Sequence, residues 1–170
     1  GSLGELSLDE WNWSLAVNAT SHFLLTRRVW KVFEAQGLGG SLVYVASKNA
    51  FGPGAGFGAY SAAKAAEVQV ARIAALEGGP LGIRANVVNP DAVFQGSRLW
   101  SEELRTERAA EHGVGPDELE DFYAARNLLG VKVTGRDVAE AVAFLVSDRS
   151  RATTGCVVTV DGGVPTAFPR

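Results

Sequence analysis

Methionine is missing from all 170 residues, and cysteine occurs once. A lone Cys156 cannot form an internal disulfide, so a reducing compartment such as the cytoplasm is the expected home. A chain that opens Gly1-Ser2, residues typical of tag removal, and holds no Met is expected to be a piece of a longer protein. No apolar run approaches the roughly 18 residues of a membrane span, and no signal peptide opens the chain. A basic excess is lacking as well: 16 Lys and Arg face 19 Asp and Glu, which speaks against nucleic acid as a partner. There is no internal repeat or low-complexity stretch. With 46% hydrophobic and 21% charged residues, the composition is that of one globular domain and excludes disordered, collagenous and coiled-coil chains.

What is present alternates between helix and strand signals. Ser7-Leu8-Asp9-Glu10 is a capping-box pattern. Behind it, Leu8, Trp11, Leu15, Val17, Phe23, Leu24 and Trp30 predict one long helix to about Gln36, stopped by Gly37 and Gly39-Gly40. Residues 41–46 read as a buried strand, 48–58 as a Gly-rich loop, 59–77 as an Ala-rich helix, 83–88 as a second strand and 156–160 as a third. A further amphipathic helix, 138–146, is expected to be capped near Thr134. Residues 101–126 carry eight carboxylates against three arginines, and two short acidic helices are expected there. So charged a stretch predicts a surface insertion or lid, at about 94–130, rather than core. Strands that are continuous apolar runs, separated by helices, predict an α/β fold: part of a doubly wound, Rossmann-like parallel sheet with helices on both faces. With three strands only, the strand at 41–46 is left with a bare edge.

Four residues stand out chemically. Tyr60 and Lys64, at i, i+4 spacing, share one helix face, and a neighbouring ammonium favours a phenolate. Ser47 lies where the first strand ends, at the end of the sheet where open parallel sheets bind ligands. Asn18 lies inside a predicted helix, where Asn is a poor helix former; it either faces solvent or bends the helix and holds a water with its carbonyl. His22 and His112 have no partner at metal-ligand spacing, so no metal site is expected. Cys156 is expected to be a small core residue.

In order and spacing, Asn18, Ser47, Tyr60 and Lys64 resemble the catalytic tetrad of the short-chain dehydrogenase/reductase family. Gly40 to Ser47, Asn86-Val87-Val88-Asn89-Pro90, and Thr154-Gly155 with Val160-Asp161-Gly162-Gly163 are similar to that family's last three strands. The resemblance implies an oxidoreductase that uses NAD, with NADP left open. Tyr60 would exchange a proton with the substrate hydroxyl. Lys64 would hold the nicotinamide ribose, Ser47 the substrate oxygen and Asn18 a water. Pro90, Asp91, Ala92 and Val93 would line the nicotinamide.

A narrower resemblance rests on Ser47-Lys48-Asn49-Ala50, on Asn89 to Val93, where Asp91 replaces the family's usual Gly, on Gly96-Ser97-Arg98-Leu99-Trp100, and on Asp117 to Tyr123. These runs are similar to the dehydrogenase domain of bifunctional rhamnulose-1-phosphate aldolase/short-chain dehydrogenases. It implies oxidation of lactaldehyde to lactate, with Ser47, Lys48, Asn49, Arg98 and Trp100 around the substrate. Arg98 alternatively forms a surface salt bridge within the acidic segment. The family's Gly-rich turn and its ribose-reading acidic residue are not in this sequence, so the N-terminal nucleotide-binding half is expected to be absent and the fragment alone inactive. The family resemblance also implies a homo-oligomer built on helices 8–36 and 59–77. The competing reading is a non-catalytic nucleotide-binding or scaffold half-domain that keeps the tetrad as a relic.

Overall fold

The computed structural model describes residues 1–97 and 99–168. Helix α1 (Leu8–Leu15) starts where the sequence placed it: the Ser7 hydroxyl accepts from Glu10 N, and the Glu10 carboxylate accepts from Ser7 N at 2.9 Å. The predicted single long helix is interrupted. Ala16–Thr20 form a π-helical turn, and α2 (Ser21–Gln36) continues beyond it. Asn18 sits in the middle of that turn and donates from Nδ2 to Ser14 O at 3.1 Å. The expected local distortion at Asn18 therefore takes the form of a π insertion, a feature that tends to occur at functional positions. Gly37 ends α2 in the left-handed region (φ 63°) that Gly enters without a Cβ penalty.

Strand β1 (Gly40–Val45), helix α3 (Gly58–Gly78) and strand β2 (Ile83–Pro90) follow. Helices α4 (Glu102–His112), α5 (Leu119–Ala125) and α6 (Gly135–Val146) lead to strand β3 (Val157–Val160). The sheet is parallel, in the order β1-β2-β3, with Leu42 opposite Ala85 and Tyr44 opposite Val87. That register puts Leu42, Tyr44, Ala46, Ala85 and Val87 on one face, where they pack against Val68, Ala71, Ala74 and Ala75 of α3. The small side chains of α3 let the helix lie close to the sheet. Ile83, Val87 and Val88 are almost fully buried, which contributes roughly 1.5–3 kcal/mol each.

The opposite face is tied to the end of α6 by polar bonds. Ser41 Oγ and Arg84 Nη1 both donate to Leu145 O, at 3.0 and 2.9 Å, and Arg84 also reaches Ser147 O and Ser150 Oγ. The Asn86 side chain bridges to the segment before β3, donating to Thr153 O and accepting from Cys156 N. Thr134 caps α6 in a capping box with Asp137, as expected from its position.

Two expectations are corrected. The acidic segment is not merely a surface lid: Phe94, Ala109, Leu119 and Tyr123 are buried in a second small core. Trp100 stacks on Phe94 at 4.0 Å, and the Tyr123 ring meets both edge-on. The carboxylates occupy the outer helix faces while a few large rings supply the apolar area, so net charge was a poor guide to packing. Cys156, expected in the core, is only half-buried at the entrance to β3.

Among the described residues β1 pairs with β2 alone, so its other edge is open, as the sequence predicted. Helices α2 and α3 leave Phe23, Leu24, Ile73 and Leu76 exposed. No helix among the described residues is long and apolar enough to cross a membrane.

Candidate functional site

A cavity of about 390 Å³ opens at the carboxyl ends of β1 and β2. Two chain segments leaving the sheet form its floor: Ala46 to Asn49 after β1, and Pro90 to Val93 after β2. The start of α3 contributes Tyr60, and the acidic segment closes the far side with Trp100, Arg108, Tyr123 and Arg126. Parallel topology explains the location, because every strand delivers its following loop to the same end of the sheet.

Of the residues expected at the site, Ser47, Lys48, Asn49, Tyr60, Pro90, Asp91, Ala92, Val93 and Trp100 line this one cavity. Arg98 lies outside the described residues. Lys64 and Asn18 do not line it. Lys64 is buried one helical turn beyond the phenol, its Nζ 6.0 Å from the Tyr60 ring centre. The ammonium donates to Val45 O at 3.1 Å and to Glu67 Oε2 at 2.8 Å. The π turn that carries Asn18 packs against α3, the helix that carries Tyr60 and Lys64.

The two hydroxyls in the cavity are differently engaged. Ser47 is extended (φ −164°, ψ 152°), and its Oγ accepts from Asn49 N at 3.2 Å, capping the short turn Lys48–Ala50. Accepting leaves the serine proton to be donated outward. The Tyr60 phenol has no hydrogen-bond partner among the described residues and stands beside the Phe57 ring. Together they place two hydroxyls in one volume, an arrangement able to donate to a ligand oxygen and to exchange a proton with it.

Charge in the cavity is mostly paired. Arg126 donates to Asp91 Oδ2 at 2.9 Å and lies over the Tyr123 ring. Arg108 pairs with Glu111 and stacks on Phe57 at 4.1 Å. Burial pushes the Asp91 carboxyl above its ordinary value, with Arg126 and Lys48 pulling the other way. Burial also pulls the Lys48 ammonium down, Asp91 opposing; its Nζ donates to Gly52 O at 3.0 Å.

A carboxyl raised on folding is held less well as a carboxylate in the native state than in the unfolded chain, so its contribution to stability declines as pH rises through the range just above 3.8. Asp91→Asn, which stays neutral, is therefore expected to gain stability relative to the wild type between mildly acidic and neutral pH. Thermal denaturation at several pH values checks this; a variant that loses ground as pH rises would show that the Arg126 pair outweighs burial.

Arg108, Tyr123 and Arg126 were not anticipated from the sequence, where nothing local marks them. Ala92 is the one non-glycine among the described residues with a positive φ (50°), a strained backbone at the cavity wall that its residue type does not announce.

The residues present suit a nicotinamide ring. Pro90, Ala92 and Val93 bring apolar groups to the cavity that Tyr60 and Ser47 also line. At the end of β2 the fully buried Asn89 has neither side-chain atom bonded, and Asn49 Oδ1 in the cavity wall is also unpaired. Buried polar atoms left open in this way call for a partner.

The family model described as Enoyl-(Acyl carrier protein) reductase matches residues 1–165. The chain is 49% identical over 166 residues to the protein named Uncharacterized oxidoreductase YuxG of Bacillus subtilis (strain 168), a match that covers 98% of this chain and 24% of that protein. Among solved structures, sorbitol-6-phosphate 2-dehydrogenase SrlD from Erwinia amylovora superposes with a TM-score of 0.90 at 25% identity, covering 100% of this chain and 64% of that one. Carveol dehydrogenase from Mycobacterium avium, in complex with NAD, gives 0.88 at 28% identity over 96% of this chain and 60% of that one. The chain thus spans about a quarter of YuxG and less than two thirds of either solved dehydrogenase. With a family model matching residues 1–165 and dehydrogenase structures superposing on the parallel sheet, the chain belongs to the short-chain dehydrogenase/reductase family.

Proposed function

We propose that these residues are the catalytic half of a short-chain dehydrogenase domain within a longer protein, and that this domain oxidises a small hydroxy or aldehyde substrate with NAD. The single observation that carries the reading is the meeting of Ser47 and Tyr60 in one cavity, with the Lys64 ammonium buried behind the phenol. The preferred substrate is lactaldehyde, converted to lactate, as in the bifunctional rhamnulose-1-phosphate aldolase/short-chain dehydrogenases that the sequence resembles. The much greater length of YuxG supports a module within a longer chain. The open β1 edge and the exposed apolar residues of α2 and α3 support further contacts there, including a homo-oligomer.

In this reading the bound nicotinamide supplies the hydride acceptor. The chain's own residues bind the substrate and move the proton. Ser47 donates its free hydroxyl proton to the substrate oxygen. Tyr60, as phenolate, takes the proton of the reacting hydroxyl. Lys64 stabilises that phenolate across the one-turn separation and would hold the ribose. Asn18, in its π turn, would hold a water through its carbonyl. For an aldehyde, the bound species would be the hydrate, its oxygen held by Ser47 and one hydroxyl placed to give its proton to Tyr60; with the nicotinamide as hydride acceptor the product would be the carboxylic acid. The Asp91–Arg126 ion pair adds a polar group to the same cavity.

The competing reading, a non-catalytic half-domain with a relic tetrad, is separated by assay of the full-length protein with lactaldehyde and a panel of small alcohols and aldehydes, NAD and NADP supplied separately. Reduced-nicotinamide absorbance should rise with lactaldehyde and NAD. Cofactor binding with no turnover of any substrate would favour the scaffold.

A further inference from the structure

The most buried ionisable side chain in the described residues has no place in the mechanism above. Glu67, on α3, is 0% exposed. It lies on the same i, i+4 ladder as Ala63 and Ala71, in a face otherwise made of small apolar side chains that packs on the sheet. A carboxylate there is tolerable only if it is paired. Its Oε2 accepts from the Lys64 ammonium at 2.8 Å, and its Oε1 has only His22 Nε2 of α2 nearby, at 3.4 Å. The titratable groups that face it are thus Lys64 on its own helix, His22 on α2 and the Tyr44 phenol on β1, which is bonded to Thr26, while Tyr60 itself shares its cavity with Lys48, Asp91, Arg108, Glu111, His112, Tyr123 and Arg126, the same in every variant compared.

We infer that Glu67 is a positioning residue: its buried carboxylate holds the Lys64 ammonium and offsets its charge, and so sets the pH at which Tyr60 works as acid/base. The inference rests on the catalytic role proposed for Tyr60. The physical reason is the difference between a charge and an ion pair. A bare ammonium 6.0 Å from the Tyr60 ring centre would favour the phenolate strongly in a poorly screened interior. With an opposite charge 2.8 Å from the same nitrogen, the phenol sees a dipole, whose field is weaker and falls off more steeply. His22, on a different helix, lies 3.4 Å from the second carboxylate oxygen, which has no hydrogen-bond partner. Lys64 alone is thus an incomplete description of what acts on Tyr60; the acting unit is the Lys64–Glu67 pair.

The test reads the phenolate directly in the full-length protein, by ultraviolet difference titration against the matched Tyr60→Phe background, with the pH profile of kcat/KM beside it. Burial holds the Tyr44 and Tyr123 phenols to higher pH, which keeps their signals apart. Glu67→Gln removes the charge and keeps the shape. It should bring the Tyr60 phenolate in at a lower pH, with the acid limb of the rate profile moving the same way. Glu67→Asp, which keeps the charge, should stay near the wild type in pH behaviour even if both variants lose similar thermal stability. Equal titration curves for Gln and wild type, or equal shifts for Gln and Asp, would overturn the inference. The spectroscopic arm needs no turnover: a protein that fails every substrate but shows the phenolate shift refutes the enzyme reading and leaves the electrostatic one standing.

Discussion

Replacing Tyr60 with Phe in the full-length protein should lower kcat by a hundredfold or more, equivalent to about 2.7 kcal/mol in the barrier. The variant loses one atom, the phenol oxygen of a residue that lines the cavity. The Phe57–Tyr60 ring contact and the helix start survive the change. Stability should accordingly stay within about 0.5 kcal/mol of the wild type, the usual range for a substitution that creates no void and breaks no bond. This combination of a large kinetic loss and an unchanged fold identifies a proton-transfer group. Near-normal turnover of lactaldehyde and of other small aldehydes or alcohols would remove Tyr60 from the mechanism. A matching loss of folded protein would assign it a structural role instead.

Leu145→Ala should be the more damaging change for the fold, costing about 2–5 kcal/mol. Leu145 is fully buried at the end of α6, on the sheet face away from α3. Its backbone is pinned: Leu145 O accepts from Ser41 Oγ, Arg84 Nη1 and Ser150 Oγ. With the carbonyl held by three donors from three parts of the chain, the helix end cannot settle inward to fill the space, and cavities that cannot collapse cost the most. The effect should therefore fall in the upper part of that range. Urea unfolding followed by this domain's tryptophan fluorescence would read it as a lower midpoint at constant slope. A loss under about 1 kcal/mol would mean that α6 is free to repack despite its anchors.

The local features were legible because their signals are local. A hydroxyl three residues before a carboxylate caps α1 and α6, and Gly37 stops α2, since these effects depend on neighbours along the chain. Apolar runs that are not alternating identified strands covered on both faces, and the crossovers between them required a parallel sheet. The candidate site was partly legible for the same reason. Ser47 follows a strand and Tyr60 begins the next helix, so topology alone brings both to one end of the sheet.

Glu67 could have been found by the helical period. It lies four residues after Ala63 and four before Ala71, so a carboxylate on a buried stripe was visible in the sequence. Its partner on α2 was not, because the contact between Glu67 and His22 depends on how two helices lie side by side. The reading of 94–130 missed the segment's small core because composition was asked to stand for packing. Eight carboxylates outvoted Phe94, Trp100, Phe122 and Tyr123 in the count, yet those rings stack into a core of their own.

The sequence by itself determined the order of strands and helices and where α1 and α6 are capped and α2 stops, because spacing and capping act over a few residues. Only the tertiary structure decided the rest: that Lys64 is turned from the cavity onto Glu67 and Val45 O, that Arg126 meets Asp91, and that the acidic segment walls the site with aromatic rings. Each of these joins a residue to a group on another element, except the Lys64–Glu67 contact, where burial of the helix face turns an ordinary i, i+3 pair into a buried one. Such contacts are fixed by helix crossings and sheet register, and by the burial they create, which the spacing of residues along the chain does not encode.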